Sequence, residues 1–509
     1  MREAVAVRRV EHRGQTLVYL SLFDDELDPR LEEFLMFTPG EGWSEANLAG
    51  AALCLEPTDA VIIAGRDEDI LVARGGACNF PLYWKVIAGS TVVTTALPID
   101  GERRLSIAGL IDSVAVVSVT YQNEPNLSRH APLNGWFRCR RGTVSRFSAS
   151  AGCLSERPID LADSAEDKHG RDQLIGAIRL ALDKFGRRQQ GRPRALVELS
   201  GGIDSTLAAI AVRSHGVELH GISIHFPYYE FRFEDNIQLA VAKSLGVVRT
   251  RRDGSSVFPY APPDWWPRLD EPATCIIAIK RDLMMARLAS GEGIDRVLVG
   301  QGGDQVFSED MLQPVPGPMP LARGAFSAAG WGRVESARAL MERFPRYLRR
   351  STLTYLHDAR LDVAFKEYVG AITRSPFCDI DMARCGMFWA RLSARDGVIE
   401  GKRILAEAFA KELPGVVTGR RAKVSWDGIC ARSYAQHADS IIDEIERVSA
   451  PLEHIGLNAR WLVRRVRELA RWEKTTFGQD DKEVFAAYAL ATWLHSWGVE
   501  RVRDCGWGD

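Results

Sequence analysis

An apolar run that ends in a glycine-rich loop and then opens a helix constrains this chain more than any other feature. The run Ala195–Leu199 predicts a buried strand, and the segment 200–206 (SGGIDST) predicts a tight turn into a helix over Asp204–Arg213. Adjacent glycines let the backbone approach a charged group because no Cβ stands in the way. A helix that begins there presents unpaired N–H groups and the positive end of its dipole. The order strand, loop, helix therefore predicts a phosphate-binding loop.

The side chains of this loop suit a nucleotide triphosphate that carries a divalent cation. Hydroxyl groups can donate to phosphate oxygens, and the carboxylate of Asp204 can hold a cation that offsets the phosphate charge. The loop lacks the G-K-[ST] of a Walker loop, and there is no G-x-G-x-x-G fingerprint. The competing interpretation is a glycine turn that only caps a helix, which the preceding strand disfavours. The nucleotide-binding candidates are Ser200, Gly201, Gly202, Asp204 and Ser205.

A second glycine-rich loop, the segment 299–307 (VGQGGDQVF), also follows a predicted strand. Ligands of open α/β sheets collect beyond the carboxyl ends of the strands, so we expect the two loops to meet there. Asp304 would then share a magnesium ion with Asp204, and Gly302 and Gly303 would add to the cofactor site. Taken alone, this second loop is equally well explained as an exposed turn.

Strands and helices alternate around these loops, which is typical of a parallel sheet with crossover helices. We therefore predict a doubly wound α/β region and, beyond about Arg333, a mainly helical C-terminal part. An amphipathic helix precedes the sheet, with Leu174, Ile175, Ile178, Leu182 and Phe185 on one face. The predicted strands are Ala195–Leu199, His220–His225, Val247–Thr250 and Arg296–Val299. The predicted helices are Asp204–Arg213, Glu234–Leu245, Ile276–Leu288, Arg403–Leu413, Ala435–Val448, Arg460–Trp472 and Lys482–Trp497.

The front of the chain is strand-rich. Segments such as Thr16–Ser21, Ala60–Ala64 and Ser90–Thr95 are short, rich in β-branched residues and separated by Gly, Asp and Pro. The polar, acidic stretch from Arg157 to His169 predicts a linker. A chain of 509 residues is also too long for one ordinary core. We therefore predict two domains, residues 1–155 and residues 170–509.

Charge, hydropathy and cysteine use exclude several functional classes. The formal net charge of −2 argues against a nucleic-acid coat or a polybasic membrane anchor. The first residues lack the apolar core of a signal peptide, and no stretch approaches the roughly 18 uninterrupted apolar residues of a membrane span. The nine cysteines are scattered without a C-x-x-C pair, and the ten histidines show no zinc-like spacing. We therefore predict a cytoplasmic protein with reduced thiols and with no metal but magnesium.

Taken together, the segments 200–205 (SGGIDS) and 300–307 (GQGGDQVF) resemble the asparagine synthetase superfamily of N-type ATP pyrophosphatases. Three weaker matches follow at 375–379 (SPFCD), 404–409 (ILAEAF) and 420–423 (RRAK). The resemblance covers most of residues 170–430 and implies an ATP- and magnesium-dependent ligase. Such an enzyme adenylates a carboxylate, releases pyrophosphate and then passes the acyl group to an amine.

The resemblance also implies roles for single residues. Lys423 is similar to the family lysine that stabilises the tetrahedral intermediate and the phosphate, and a solvated basic run is the competing interpretation. Glu400 lies near the position of a catalytic glutamate in related enzymes. Alignment on Ile404 puts that glutamate at Gly401, however, and a surface glutamate that caps a helix is equally consistent. Ser223, in the second predicted strand, is the candidate for contacting adenine.

The segment 74–84 (RGGACNFPLYW) is similar to the RD-x-x-G-x-x-PLYY strand of N-terminal nucleophile glutaminase domains. Those domains need a cysteine directly after the initiator methionine, because its freed α-amino group serves as the base for the thiol. Position 2 is Arg2, and no cysteine precedes Cys54. We therefore expect a degenerate glutaminase-like domain that does not hydrolyse glutamine, so that the attacking amine arrives with a substrate.

Two branches of the family fit that requirement: β-lactam-forming synthetases, and the macrolactam synthetases (lasso cyclases) that close lasso peptides. The chain is more similar to the second branch, in which the N-terminal amine of a precursor peptide is joined to an internal Asp or Glu side chain. That resemblance implies a leader-peptide recognition protein and a leader peptidase as partners. An asparagine synthetase-like amide ligase and an inactive peptide-binding scaffold are also compatible with the sequence, although the intact loops count against the scaffold.

Two further groups of residues have open interpretations. The aromatic segments Phe226–Tyr229 and Trp265–Trp266 either line a peptide groove or pack in the core. Asp270 and Glu271 either hold a substrate amine or are ordinary loop carboxylates, and the second is favoured.

Overall fold

The structure is a computed structural model that describes most of the chain. The described residues are 6–12, 15–21, 59–64, 69–74, 82–95, 97, 104–120, 130–140, 143–148, 150–158, 170–228, 233–307, 321–342, 359–396, 401–419, 427–473 and 480–508. Their strands are β1 (Ala6–His12), β2 (Gln15–Ser21), β3 (Asp59–Ala64), β4 (Asp69–Arg74), β5 (Tyr83–Ile87), β6 (Ser90–Thr94), β7 (Arg104–Ser106), β8 (Phe137–Arg138), β9 (Thr143–Ser148), β10 (Gly152–Pro158), β11 (Arg194–Glu198), β12 (Glu218–His225), β13 (Val248–Asp253), β14 (Arg296–Leu298), β15 (Ile372–Arg374) and β16 (Gly506–Gly508). Their α-helices are α1 (Ile107–Thr120), α2 (Arg171–Arg187), α3 (Ile203–Arg213), α4 (Glu234–Ser244), α5 (Ile279–Gly291), α6 (Gly303–Val306), α7 (Ala328–Glu342), α8 (Ala359–Val369), α9 (Ile380–Asp396), α10 (Arg403–Ala408), α11 (Gly415–Thr418), α12 (Asp427–Arg447), α13 (Ser449–Ile455), α14 (Ala459–Leu469) and α15 (Lys482–Ser496).

A five-stranded parallel sheet forms the centre of the rear region, which we define as residues 170–508. Its strand order is β13-β12-β11-β14-β15, and every pair is parallel. The central strand β11 carries the buried residues Ala195, Leu196 and Val197, as expected for a strand covered on both faces. The four strands predicted here are confirmed, whereas the short β15 was missed because three residues carry no readable periodicity. Since all five strands run in one direction, the loops that follow them lie at one edge.

Two predicted boundaries in this region are wrong. Strand β13 continues to Asp253 instead of ending at Thr250. The added residues include two arginines, which an apolar strand pattern does not predict. An edge strand with an exposed face accommodates them. Helix α5 begins at Ile279 rather than Ile276, because Thr274–Ala278 form a 3₁₀ turn.

The helix predicted over Arg403–Leu413 is wrong in its second half. Helix α10 ends at Ala408, and two turns follow, with the Leu413 N–H donating to the Phe409 carbonyl at 2.9 Å. Pro414 disfavours a helical conformation at the residue before it. Helix α12, in contrast, begins at Asp427, well before the predicted start at Ala435.

Helix α2 packs its apolar face against helix α3. Leu174, Ile178, Leu182 and Phe185 are buried on that face, which confirms the predicted amphipathic pattern, and Ile175 lies half-buried at its border. Gly186 allows the closest approach, because an added Cβ there would overlap the carbonyl oxygen of Ala211.

We expect Gly186→Ala and Gly176→Ala, both in helix α2, to have opposite effects on stability. The first forces α2 away from α3 and should lower the free energy of unfolding by about 1–3 kcal/mol. The second places a methyl group in open space and should raise it by up to about 1 kcal/mol, since alanine is the better helix former. Thermal and urea denaturation measure both, and equal effects at the two positions would contradict this packing.

The front region, residues 6–158, contains a six-stranded antiparallel sheet with the order β1-β2-β3-β4-β9-β10. A three-stranded sheet, β6-β5-β8, the short strand β7 and helix α1 are its other described elements. The strands predicted at Thr16–Ser21, Ala60–Ala64 and Ser90–Thr95 are confirmed to within a residue at each end.

The predicted linker lies almost entirely outside the described residues. The likeness to a glutaminase domain, and the division into two domains, stay predictions.

The front and rear regions share one hydrophobic core. Leu110 and Val114 of helix α1 pack in the same buried cluster as Leu490 and Leu494 of helix α15. The C-terminal strand β16 pairs in parallel with the front strand β7, from Gly506 opposite Arg104 to Gly508 opposite Ser106. The two regions are therefore joined by both apolar packing and a strand pair.

Candidate active site

The first glycine-rich loop lies between strand β11 and helix α3, as predicted. Gly201 has a φ of +78°, a conformation that L side chains rarely adopt, and Gly202 precedes the first turn of α3. The Ser200 and Ser205 hydroxyl oxygens are 3.0 Å apart, and Thr206 Oγ1 donates to the Gly202 carbonyl at 2.7 Å. The hydroxyl groups of Ser205 and Thr206 therefore hold the loop in shape.

The second loop packs directly against the first. A Cβ on Gly300 would lie 2.5 Å from the backbone nitrogen of Ser205, and a Cβ on Gly303 would overlap the carboxylate of Asp204. Gly302 adopts a left-handed conformation with φ +93° immediately before helix α6. The predicted meeting of the two loops at the carboxyl edge of the sheet is confirmed, and glycine is required because the backbones approach so closely.

Asp204 and Asp304 converge on one cationic group, the side chain of Lys402. Lys402 Nζ lies 2.6 Å from Asp304 Oδ1 and forms a second ion pair with Asp204 Oδ2. The Lys402 side chain is 21% exposed, against 14% for Asp204 and 51% for Asp304. Burial acts to lower the pKa of Lys402, but the two carboxylates outweigh it and hold this pKa above its ordinary value. A positive charge therefore occupies the point where the two predicted magnesium ligands meet.

Sequence reasoning missed Lys402. It directly follows Gly401, whose φ is +45°, and it precedes helix α10. Its position beside the family-like segment 404–409 was the available signal. Nothing in the local pattern, however, distinguishes an ion-pairing lysine from a solvated one.

The two predicted catalytic residues, Glu400 and Lys423, lie outside the described residues, and their roles stay predictions. Gly401, the position that the family alignment gives to the glutamate, has no side chain, and its carbonyl accepts the Trp389 indole N–H at 2.8 Å.

Ser223, the adenine candidate, is fully buried in strand β12. Its hydroxyl donates to the Leu199 carbonyl at 2.9 Å, so the side chain links β12 to the entrance of the phosphate loop. A backbone contact with adenine at this position stays a prediction.

The segment 375–379 packs against the second glycine-rich loop and is hydrogen-bonded to it. Ser375 Oγ donates to the Gln301 carbonyl at 2.5 Å, and a Cβ on Gly302 would lie 3.1 Å from the Cβ of Phe377. Asp379 accepts from Arg188 at 2.8 Å, which ties the segment to the end of helix α2. Its residues therefore position Gly302 and its neighbours.

Aromatic residues form a stack beyond the carboxyl end of strand β12. Phe226 and Tyr228 each stack on Phe258, with ring centroids 5.5 Å and 5.9 Å away and nearly parallel planes. The Arg432 guanidinium lies 4.0 Å from the Tyr228 centroid. Trp265 instead stacks on Tyr368 at 4.0 Å and packs on the shared core, so the packing interpretation applies to it.

Asp270 and Glu271 do not face the phosphate loop through their described contacts. Glu271 Oε1 accepts from Arg138 Nε at 2.6 Å, and Asp270 Oδ2 accepts from the Leu97 N–H at 3.2 Å. Both carboxylates are buried against the front region. These contacts favour the interpretation as loop carboxylates, although both side chains are more deeply buried than that interpretation implies, and a role in holding a substrate amine stays a prediction.

A magnesium ion fits the donor set of Asp204 and Asp304. Within the described ranges no cluster of three or more His, Cys, Asp and Glu side chains is arranged to bind a metal. Two carboxylates nevertheless suffice for Mg²⁺, which takes its remaining ligands from phosphate oxygens and water.

In the described part of the chain, no helix combines the length and the apolar character that crossing a membrane requires.

The fold and the site define a nucleotide-binding α/β enzyme, with two glycine-rich loops and their aspartates at the carboxyl edge of a parallel sheet. The asparagine synthase family profile matches residues 178–495, more than half of the chain, and the protein belongs to that family. It is therefore an ATP-utilising amide ligase or synthetase in general terms.

Individual proteins similar to this chain do not define its function more closely than the family does. No curated protein matches the chain at a significant level. Among solved structures, the U34-tRNA thiolase NcsA from Methanococcus maripaludis with its [4Fe-4S] cluster is 11% identical, with a TM-score of 0.21 over 40% of this chain and 81% of that one. NMN synthetase from Francisella tularensis is also 11% identical, with a TM-score of 0.19 over 51% of this chain and 99% of that one. Likenesses at these scores carry no functional argument.

Proposed function

We propose that this protein is an ATP- and magnesium-dependent macrolactam synthetase. It adenylates an Asp or Glu side chain of a precursor peptide and closes an isopeptide ring with the peptide's N-terminal amine, releasing AMP and pyrophosphate. The observation that carries the adenylation step is the convergence of Asp204 and Asp304 on one cation beside the phosphate loop. The choice of a peptide substrate rests on the resemblance to lasso cyclases.

Each part of the site has a task in adenylation. Backbone amides of Gly201 and Gly202, with the Ser200 hydroxyl, hold the departing pyrophosphate at the start of helix α3. Asp204 and Asp304 hold magnesium, which when bound neutralises charge on the triphosphate. Lys423 keeps the role that the resemblance assigns, stabilising the tetrahedral intermediate and the phosphate, and Glu400 stays the candidate for the catalytic glutamate of related enzymes.

The described thiols of the front region do not support glutamine hydrolysis. Cys139 is 1% exposed, and burial raises the pKa of its thiol well above the ordinary value, which disfavours the nucleophilic thiolate. Cys153, which is half-buried, donates to the Ser155 carbonyl at 3.4 Å. These two thiols, together with Arg2 in place of the glutaminase cysteine, support the proposal that the attacking amine arrives with the substrate.

Phe226 and Phe258 of the aromatic stack are buried, so the half-buried Tyr228 is its member that offers a contact for an extended substrate. The stack lies at the carboxyl edge, where the acyl group must meet ATP, and it ends in the cationic Arg432. Partners that recognise and remove a leader peptide complete the proposal.

The deciding experiment combines ATP, Mg²⁺ and a leader-free candidate core peptide and follows AMP, pyrophosphate and peptide mass. We expect the peptide to lose one water as AMP forms, and Asp304→Ala to abolish both. Turnover of a small β-amino acid but of no peptide would move the assignment to β-lactam formation. Free ammonia as the only accepted amine would indicate an asparagine synthetase-like amide ligase, and no AMP with any substrate would indicate a binding scaffold.

A further inference from the structure

The front and rear regions are connected by a buried ion pair. Arg138, in strand β8 of the front region, donates from Nε to Glu271 of the rear region at 2.6 Å, and their side chains are only 1% and 3% exposed. The neighbouring carboxylate, Asp270, accepts the N–H of Leu97, another front-region residue. Two consecutive carboxylates of one loop are therefore bound by the front region.

The same loop is held from its other side by the rear region. The Leu269 carbonyl accepts the indole N–H groups of Trp493 and Trp497, both at 2.8 Å. Further along, the Ile277 carbonyl accepts the Tyr260 N–H at 2.8 Å. The segment 269–278 is thus fixed between the front region and helix α15.

This segment leads directly into helix α5, which connects the parallel strands β13 and β14. A crossover helix runs antiparallel to the strands that it connects, so its first turn lies at the carboxyl edge with the phosphate loop. Arg281 in that turn donates to Asp282 at 3.0 Å. Burial acts to lower the pKa of Arg281, but the charges of Asp282 and Glu198 hold it above the ordinary value. Glu198 ends strand β11, immediately ahead of the phosphate loop.

We propose that the front region serves as a brace for the nucleotide site, in which Arg138, acting through Glu271, positions the first turn of helix α5 and its Arg281 beside the root of the phosphate loop. Arg138 and Glu271 are positioning residues, because neither reaches the reacting groups through its described contacts. The brace gives the front region a function that needs no glutaminase chemistry. It rests on the proposed ATP site but not on the identity of the acceptor substrate.

The test compares two double variants that each remove one ion pair without changing the net charge. Arg138→Met with Glu271→Met removes the brace without leaving a buried charge unpaired. Arg140→Met with Glu156→Met removes an ion pair that lies wholly within the front region, with a bond of 2.6 Å. Arg138→Lys, which keeps a positive charge opposite Glu271, is the milder variant. Calorimetric ATP–Mg²⁺ binding and substrate-dependent AMP release are measured well below each variant's melting temperature.

We expect the brace variant to bind ATP about tenfold more weakly and to release AMP about ten- to a hundredfold more slowly, because small displacements of a positioned group are costly. Arg138→Lys should be intermediate, and the KM for the acceptor should not change. The Arg140 and Glu156 control should stay within about twofold of the wild type, because this ion pair joins two residues of the front region and includes none of the segment 269–278.

A lowered melting temperature with unchanged ATP binding and AMP release would overturn the brace and leave the ion pair a purely structural role. If the double variant does not fold, Arg138→Lys decides, and wild-type ATP binding and AMP release in that variant would equally overturn it. Failure of the proposed function appears differently, as a wild-type protein that forms no AMP. In that case the ATP affinities of the variants, measured by calorimetry, would still test the brace.

Discussion

Asp204→Asn and Asp304→Asn should each lower the rate of AMP formation by about a thousandfold, a loss typical of removing one preorganised charge-stabilising group. Both carboxylates contact Lys402 Nζ, so they lie close enough to share one magnesium ion. An amide at either position is a neutral and weaker magnesium ligand. The triphosphate then keeps more of its negative charge, and the carboxylate that attacks the α-phosphorus is repelled. Raising Mg²⁺ should restore part of the rate.

The matched control for Asp304→Asn is Asp295→Asn. Asp295 precedes strand β14 and Asp304 follows it, so they lie at opposite ends of the same strand, and their side chains are 46% and 51% exposed. Asp295 pairs with Arg192 at the amino edge, far from the glycine-rich loops. We expect Asp295→Asn to change the rate by less than about twofold. An Asp304→Asn enzyme that keeps more than about a tenth of wild-type activity would refute the shared magnesium site.

The sequence allowed the sheet and both aspartates to be predicted because the relevant signals are local. An apolar strand, then glycines, then an aspartate that opens a helix is a contiguous pattern, and parallel topology brings Asp204 and Asp304 together without further information. Lys402 has no such signal, since its partners belong to distant loops. Glu271 was considered an ordinary loop carboxylate for the same reason: its partner Arg138 lies 133 positions away. Burial and long-range pairing decide both cases, and neither is visible in a local pattern.

Lys402→Met should produce two opposite changes, a less stable protein without ligand and a higher affinity for Mg²⁺ alone. Without the ammonium group, Asp204 and Asp304 lose the cation that both of them contact. Breaking a buried pair by removing one partner costs about 3–5 kcal/mol. Because Asp304 is half-exposed and solvent screens it, we expect a loss of about 2 kcal/mol. Magnesium should recover this loss, since it no longer competes with Lys402 for the carboxylates.

The pH dependence of stability tests the same ion pairs in the wild type. The folded-state pKa of Lys402 lies above its unfolded value, so its contribution is complete below about pH 10 and is lost as the pH rises through the folded pKa. Lys402→Met should lack this alkaline loss, whereas the exposed control Lys411→Met should keep it. Melting curves from neutral to strongly alkaline pH, with and without Mg²⁺, measure both effects. A Lys402→Met protein with wild-type stability in the absence of Mg²⁺ would show that the carboxylates do not need this cation. Wild-type turnover in the same variant would mean that Lys402 matters only when no nucleotide is bound, because magnesium would then replace it completely.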